Sequence, residues 1–216
     1  MKRLDRKCGD CQLCCKLMPM KQGGDDNLKE AVAAAMQLGL MTASEVIHTV
    51  PDFDKPAGCR CPHQRNGKGC MIYARRPFGC RLWNCRWLNG DDTHELQRPD
   101  RAHYVIDIGP DFIRTDDPNL ATVPVVQVWC DPDYPDAHRD PALRAFLARR
   151  GEQERFAALI RYSDRLAFLL VPPSMSATGD WQEVRSECVE KTHTAAEKTA
   201  VLGQVTIMIE ARHDIG

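Results

Sequence analysis

The amino-acid sequence predicts an α+β protein, in which a cysteine-rich region of loops and helices precedes an antiparallel sheet with packed helices. Eight of the eleven cysteines fall into two dense blocks, within residues 8–15 and 61–85. From about residue 91 cysteine becomes rare, and strand-like alternation of apolar and polar residues takes over. We therefore expect a cysteine-cluster region over residues 1–90 and an α+β region over 91–216, which can also form one integrated domain.

Two helices are predicted between the cysteine blocks. The stretch DNLKEAVAAAMQLGLM has apolar residues at helical spacing, with Asn27 as its capping residue. A shorter helix begins at Thr42 or Ser44 and ends before Pro51, which cannot continue it. Residues 51–89 are rich in Gly and Pro, so we expect them to be mostly loop.

The second half predicts strands around one helix. HYVIDIGPDFIRTDD alternates around a Gly-Pro turn and predicts a hairpin, and VPVVQVWCDP predicts a further strand. A helix is expected over residues 141–162, and RLAFLLVPP reads as a buried strand. Residues 181–213 predict a polar strand, a helix and a terminal strand. The buried face of the predicted helix consists of Leu143, Phe146, Leu147, Phe156, Leu159 and Ile160.

The cysteines are predicted to bind metal rather than to form disulfides. A chain of 216 residues, 43% hydrophobic, can bury a core without covalent help, and its start lacks the apolar run of a signal peptide. We therefore expect a cytoplasmic protein, in whose reducing compartment closely spaced thiols bind metal or do redox work. A disulfide framework and a purely redox cluster are the alternatives.

Composition disfavours two classes of partner. The net charge is -1 and the sequence pI is about 6.6, so nucleic acid is not expected as a partner. No apolar run approaches the roughly 18 residues that a membrane span needs, so a membrane is not expected either. Metal ions are the expected partners, and the sequence leaves any protein partner open.

Eight cysteines are the candidate ligands. If residues 8–15 are helical, at about 100° per residue, Cys8, Cys11 and Cys15 lie within about 60° of one another and Cys14 points elsewhere. Because neighbouring side chains diverge, the adjacent pair indicates two ions, or a multinuclear cluster, shared between the blocks. The candidate ligands are Cys8, Cys11, Cys14, Cys15, Cys61, Cys70, Cys80 and Cys85, with Cys59 or His63 as possible extra ligands.

The sequence does not choose between zinc and iron. A closed zinc site takes four ligands, so about two zinc ions would use all eight cysteines. An iron-sulfur cluster would use four thiolates and leave the others for a separate metal or for redox work. Soft sulfur ligands suit both metals. Either metal would order the loop-rich residues 51–89, so the region is expected to be metal-stapled.

Basic residues surround the second block. Between Lys55 and Gly90 there are eight Lys and Arg residues and no Asp or Glu. Eight thiolates on two divalent ions leave a net charge of about -4, which these cations would offset. The alternative is that Arg75, Arg76 and Arg81 bind an anionic substrate or nucleic acid.

The cysteine blocks also follow a family pattern. CGDCQLCC is followed by CPH and then by CMIYARRPFGCR. Over residues 8–86 this resembles the zinc- or iron-chelating CxxCxxCC family, also called YkgJ-type cysteine cluster proteins. The resemblance implies metal ligation by the eight cysteines named above. A similar cluster occurs in flagellin lysine N-methylase, but this chain is much shorter and lacks a glycine-rich nucleotide loop after a strand. The motif's other positions are Ile72, Tyr73, Arg76, Pro77 and Arg81.

Three functional hypotheses follow. The first is a metal-binding protein that chelates zinc or iron, and the sequence assigns it no catalytic residue. The second is an iron-sulfur-dependent redox or protein-modification enzyme, which an open coordination position facing a pocket would favour. The third is a metal-stapled interaction module, which a large exposed apolar patch on residues 102–172 would favour.

Overall fold

The computed structural model describes residues 6, 10–20, 26–39, 42–48, 53–66, 68–90, 92–114, 122–163 and 165–184. The chain divides into two compact units. The sheet unit comprises Met1–Met18, Pro56–Pro62 and Asn84–Thr192. The hairpin unit comprises Pro19–Lys55, His63–Trp83 and His193–Gly216. Residues 1–90 thus contribute to both units, and the boundary that the sequence suggests at residue 90 stays a prediction.

Seven α-helices and seven β-strands lie within the described residues. The helices are α1 (Leu13–Leu17), α2 (Asp26–Gln37), α3 (Ala43–Ile47), α4 (Phe78–Leu82), α5 (Arg86–Asn89), α6 (Pro99–Ala102) and α7 (Pro141–Glu154). The strands are β1 (Gln64–Arg65), β2 (Gly69–Cys70), β3 (Tyr104–Arg114), β4 (Thr122–Cys130), β5 (Ala157–Arg161), β6 (Ala167–Val171) and β7 (Gln182–Val184). None of the helices in the described ranges is long and apolar enough to cross a membrane.

A five-stranded sheet forms the centre of the sheet unit. Its strands lie in the order β3-β4-β5-β6-β7. Strand β4 pairs with β5 in parallel, and the other neighbouring pairs are antiparallel. A parallel pair needs a crossover between its strands, and α7 makes it.

Helix α7 covers one face of this sheet. The Asp140 carboxylate caps it by accepting hydrogen bonds from the backbone N–H groups of Ala142 at 2.7 Å and Leu143 at 3.2 Å. The helix buries Leu143, Phe146 and Leu147 against the strands. The strand residues of the same core are Tyr104, Ile106, Val126, Val128, Cys130, Ala158, Ile160, Phe168 and Leu170.

The opposite face of the sheet carries a second apolar cluster. Val125 and Val126 are neighbours on β4, yet they belong to different clusters because successive strand residues point to opposite faces. The central strands are therefore apolar on both sides, as their continuous runs of valine and leucine require. The second cluster consists of Ile113, Val123, Val125, Ala157, Leu159, Leu169 and Val171.

Three short helices, α1, α5 and α6, lie against β3 in the sheet unit. Leu13 and Leu17 are the buried residues of α1. On its outer side, Nζ of Lys16 lies 2.5 Å from Oδ1 of Asp131 and 2.5 Å from Oδ2 of Asp133. These two carboxylates follow β4 directly, so they tie α1 to the end of that strand.

The hairpin unit contains short elements between longer loops. Strands β1 and β2 form a two-stranded antiparallel ladder, and α2 packs on α4. A 3-10 helix, Tyr73–Arg75, separates β2 from α4. Backbone hydrogen bonds join Met20 and Lys55 in both directions, at 2.8 and 2.9 Å.

The helix predicted over residues 141–162 is too long. It ends at Glu154 because Arg155 adopts the left-handed conformation, with φ of 60°. Residues 157–161 form β5 instead, with Leu159 on one face of the sheet and Ile160 on the other. Phe156, Leu159 and Ile160 continue the helical spacing of Leu143 and Phe146, but a strand buried on both faces also satisfies it.

The hairpin predicted around Gly109 and Pro110 is also wrong. Tyr104 to Arg114 form one strand, whose register with β4 shifts between Ile106 and Pro110. A bulge of this kind absorbs residues that cannot join the regular ladder. The predicted antiparallel sheet is likewise antiparallel only in part, because β4 and β5 run parallel.

Other predictions from the sequence are confirmed. The protein is α+β, and helices occupy residues 26–37 and 43–47 where helical spacing indicated them. Strands β4 and β6 coincide with the two apolar runs, and β7 is the polar strand expected near residue 181. The remaining elements expected up to residue 213 lie outside the described residues.

Candidate metal centre

The candidate ligands divide between the two units. Cys8 lies outside the described residues. The nine cysteines of the described part are thiols rather than disulfides. Among the candidates, the sheet unit holds Cys11, Cys14, Cys15, Cys59, Cys61 and Cys85, and the hairpin unit holds Cys70, Cys80 and His63.

Three thiols of the sheet unit line one small cavity. Cys11 precedes α1, Cys14 lies within it, and Cys85 precedes α5. The cavity has a volume of about 10 Å³, roughly that of one water-sized sphere, so it has room for a single ion. Its remaining walls are formed by Trp87, Leu88, Pro99 and Val105.

Burial dominates the chemistry of Cys85. Burial raises the pKa of its thiol to about 11, although the backbone N–H group of Leu88 acts in the opposite direction. The neighbouring Cys11 raises the pKa of Cys85 further, because two thiolates repel each other. Without a cation the thiol therefore keeps its proton at neutral pH. An ion in the cavity would supply the positive charge that the thiolates need.

Acidic and basic side chains surround Cys11. Its thiol hydrogen-bonds to the carboxylate of Asp100, which lies at the start of α6. Arg98 binds the same carboxylate at 2.6 Å and also lies 2.7 Å from Asp10. The Arg98 guanidinium lowers the pKa of Asp100, so this carboxylate stays charged beside the thiols.

A second pair of cysteines is brought together by the backbone. The N–H group of Cys61 donates to the carbonyl oxygen of Cys15 at 3.1 Å, so the two cysteine blocks meet at these residues. Cys59, which precedes Cys61 closely in the sequence, is exposed to solvent. The prediction that Cys11 groups with Cys15 while Cys14 points elsewhere is wrong. Helix α1 begins only at Leu13, so the helical geometry assumed for residues 8–15 does not apply to Cys11.

The hairpin unit places sulfur atoms next to each other. Cys80 Sγ lies 3.3 Å from Sδ of Met20, whose backbone is held by Lys55. Cys70 ends β2. The His63 ring packs edge-on against Phe53, with the ring centroids 5.0 Å apart.

The three arginines predicted to balance charge lie in the hairpin unit. Arg76 places its guanidinium 3.7 Å from the centre of the Tyr73 ring, and its Nε donates to the Tyr73 carbonyl at 2.9 Å. Arg81 donates to the carbonyl of Ala74, and Arg75 is exposed at the end of the 3-10 helix. Their role in charge compensation or anion binding stays a prediction.

Residues that the sequence did not single out also shape the cavity. Arg6 Nη1 donates to the Trp87 carbonyl and to Thr93 Oγ1, both at 2.7 Å, and Nη2 donates to the Thr93 carbonyl at 2.8 Å. Its guanidinium also lies 4.7 Å from the centre of the Trp87 ring. Gly90 makes room for it, because a Cβ there would lie 2.9 Å from Arg6 Nη1. Arg6 and Thr93 belong to no cysteine motif, so spacing gave no signal for them.

The donor set fits a thiophilic metal. Zinc and iron-sulfur centres both take thiolate ligands, and three thiols line a cavity the size of one ion. No three His, Cys, Asp or Glu side chains in the described ranges already stand at metal-ligand spacing. Binding therefore requires the thiols to lose their protons and turn toward the ion, which is usual for metal sites without metal.

Comparison with known proteins gives one match. Residues 7–101 match the CxxCxxCC family, which is described as "Putative zinc- or iron-chelating domain". No curated protein and no solved structure matches the chain. The matched stretch includes the eight cysteines predicted as ligands and also Asp100, and it ends at residue 101. The chain therefore carries a CxxCxxCC domain over residues 7–101.

Proposed function

We propose that this protein binds zinc or iron through cysteine thiolates, and that Cys11, Cys14 and Cys85 form its first site. The observation that carries the proposal is their shared cavity, which has room for one ion. Cys15 and Cys61 are the candidate pair for a second site, because a backbone hydrogen bond joins them. About two zinc ions per chain, or an iron-sulfur cluster, would use the predicted ligands.

The metal also stabilises the cysteine-rich region in this proposal. Strands β1 and β2 have two residues each, and α4 and α5 have five and four, so the region builds little core of its own. Structural zinc in small sites contributes about 10–16 kcal/mol of apparent binding free energy. A reducing compartment keeps such thiols available, which supports a cytoplasmic location.

The size of the cavity favours binding over catalysis. A volume of about 10 Å³ holds an ion but no organic substrate. The interaction module has less support. Within the described part of residues 102–172, the exposed large apolar side chains are Tyr134 and Leu166. Single exposed apolar side chains are normal on protein surfaces.

The test is the metal content of the purified protein. Protein made without an affinity metal and kept anaerobic should contain either about two zinc ions per chain, or iron and sulfide with broad absorption near roughly 400 nm. C11S and C85S should each lose about one zinc ion, or the iron-sulfur absorption. C130A is the matched control, because Cys130 is buried on β4 beyond the matched domain.

Two outcomes would overturn the proposal. The first is wild-type protein that contains no metal and takes up neither zinc nor iron. The second is C11S and C85S proteins that fold and keep the wild-type metal content. Limited proteolysis then tests the stabilising role, because metal removal should speed cleavage within residues 53–90 and leave α7 protected.

A further inference from the structure

Arg6 is held in one position beside the cavity by several independent contacts. Three hydrogen bonds of 2.7 to 2.8 Å fix its guanidinium, and their acceptors are the Trp87 carbonyl and two oxygens of Thr93. Thr93 is fully buried, and Gly90 leaves the space that the guanidinium occupies. These contacts hold the guanidinium in one orientation, unlike that of an arginine side chain that moves freely at the surface.

The hydrogen-bond acceptors of Arg6 do not neutralise it. Within the described residues they are two carbonyl oxygens and a hydroxyl, all uncharged. Burial lowers the pKa of Arg6, whereas Glu95 and the thiolate form of Cys85 raise it to a smaller extent. Glu95 is itself paired with Arg149. Asp100, the other carboxylate near the thiols, is paired with Arg98.

Arg6 also contacts a wall of the cavity. Trp87 lines the cavity together with the three thiols, and it lies under the guanidinium of Arg6. The Trp87 Nε1–H donates to the carbonyl of Leu96 at 3.1 Å. The indole is thus fixed by a hydrogen bond as well as by the guanidinium.

We infer that Arg6 is a positioning residue of the metal site: its guanidinium, fixed beside the cavity wall at Trp87, supplies a positive charge that would offset the thiolates of Cys11, Cys14 and Cys85 on a bound ion. Three thiolates on a divalent cation leave one net negative charge, which one guanidinium balances. This inference rests on the proposed function. It extends the site beyond the matched family stretch, which begins at residue 7.

The experiment measures the Kd for zinc by competition with a chelator, for the full chain and three variants. R6Q should weaken zinc binding about 10- to 100-fold, as removal of a group behind the ligands usually does. R6K keeps the charge and loses the fork of hydrogen bonds, so it should bind zinc within about fivefold of the wild type. R101Q removes an exposed arginine on α6 and is the matched control, so it should bind zinc within about threefold of the wild type.

Rescue by lysine separates a charge effect from a structural one. If R6Q and R6K are equally weak, Arg6 acts only as a structural clamp and the inference fails. It also fails if R6Q binds zinc within about twofold of the wild type. If R6Q does not fold, R6K decides: binding within about fivefold of the wild type supports the charge role, and weaker binding contradicts it. A wild-type protein that binds no zinc and no iron would instead refute the proposed function itself.

Discussion

Nζ of Lys16 lies 2.5 Å from Oδ1 of Asp131, a residue 115 positions further along the chain. Lys16 directly follows Cys15, whereas Asp131 follows β4 and lies beyond the matched family stretch. Asp131 is buried, so the ion pair is screened less than a surface pair would be. The helix that carries Cys14 and Cys15 therefore depends on the second half of the chain for its position.

Loss of the Asp131 carboxylate should destabilise the protein. D131N should lower the free energy of unfolding by about 1–3 kcal/mol, because it removes a buried hydrogen bond to a charged group. D133N, at the exposed carboxylate that contacts the same ammonium, should leave it nearly unchanged because solvent screens this pair. Urea unfolding followed by circular dichroism measures both. Equal effects of the two substitutions would contradict this account.

Replacement of Gly90 should be costlier than replacement of another left-handed glycine. G90A places a methyl group 2.9 Å from Arg6 Nη1 and from the Trp87 carbonyl, in addition to the strain of a φ of 45°. It should lower the free energy of unfolding by about 2–3 kcal/mol. Gly179 has a φ of 74° and open space around it, so G179A should cost only about 1 kcal/mol. A G90A protein as stable as G179A would show that the Arg6 contact contributes nothing.

Zinc affinity should rise steeply with pH. The pKa of Cys85 is raised to about 11, so below neutral pH zinc must displace a proton from this thiol. Each displaced proton adds about one unit of slope to the logarithm of the association constant against pH, so three thiols give a slope of about three. C85S should reduce that slope by about one. Chelator competition between pH 6 and 8 measures it, and a pH-independent affinity would exclude thiolate ligation.

Acid should destabilise the sheet unit through His138. This side chain is buried between Tyr162, Phe168 and Glu183, and burial lowers its pKa, although Glu183 raises it somewhat. The unfolded chain therefore takes up the proton first, at its ordinary pKa of about 6.5. The stability that neutral His138 contributes is present above this pH and is lost as the pH falls toward the folded pKa.

Substitution of His138 should remove part of this pH dependence. H138Q should flatten the free energy of unfolding between pH 8 and 5, measured in urea at several pH values. His94 is exposed and serves as the matched control, so H94Q should keep the wild-type slope. If both variants have the same slope, another group is responsible.

Periodicity predicted the elements whose apolar pattern fits only one structure. Strands β4 and β6 are short β-branched or leucine-rich runs, and α2 has a long amphipathic pattern. The prediction of helix over residues 156–160 was wrong because a central strand that is apolar on both faces also satisfies helical spacing. The left-handed Arg155 that ends α7 is not glycine, so the helix end had no signal in the sequence.

The sequence could supply a set of candidate cysteine ligands, but it could not supply their arrangement. Spacing identified the thiols, but it grouped Cys11 with Cys15 on a helix that begins only at Leu13. Trp87 lines the cavity, Arg6 contacts Trp87, and Asp100 contacts the Cys11 thiol. Such contacts depend on tertiary packing, which no local pattern records.

The hydrogen bond from Cys61 to Cys15 has a consequence for how this chain can vary. Backbone hydrogen bonds also join residues 20 and 55, so the segment between them begins and ends at two paired residues. The length of this segment therefore does not determine the distance between the two cysteines. The entropic cost of closing a longer segment grows only slowly with its length. Residues can therefore be gained or lost between residues 21 and 54, outside the helix α2 that packs on α4, while Cys15 and Cys61 stay joined by their hydrogen bond.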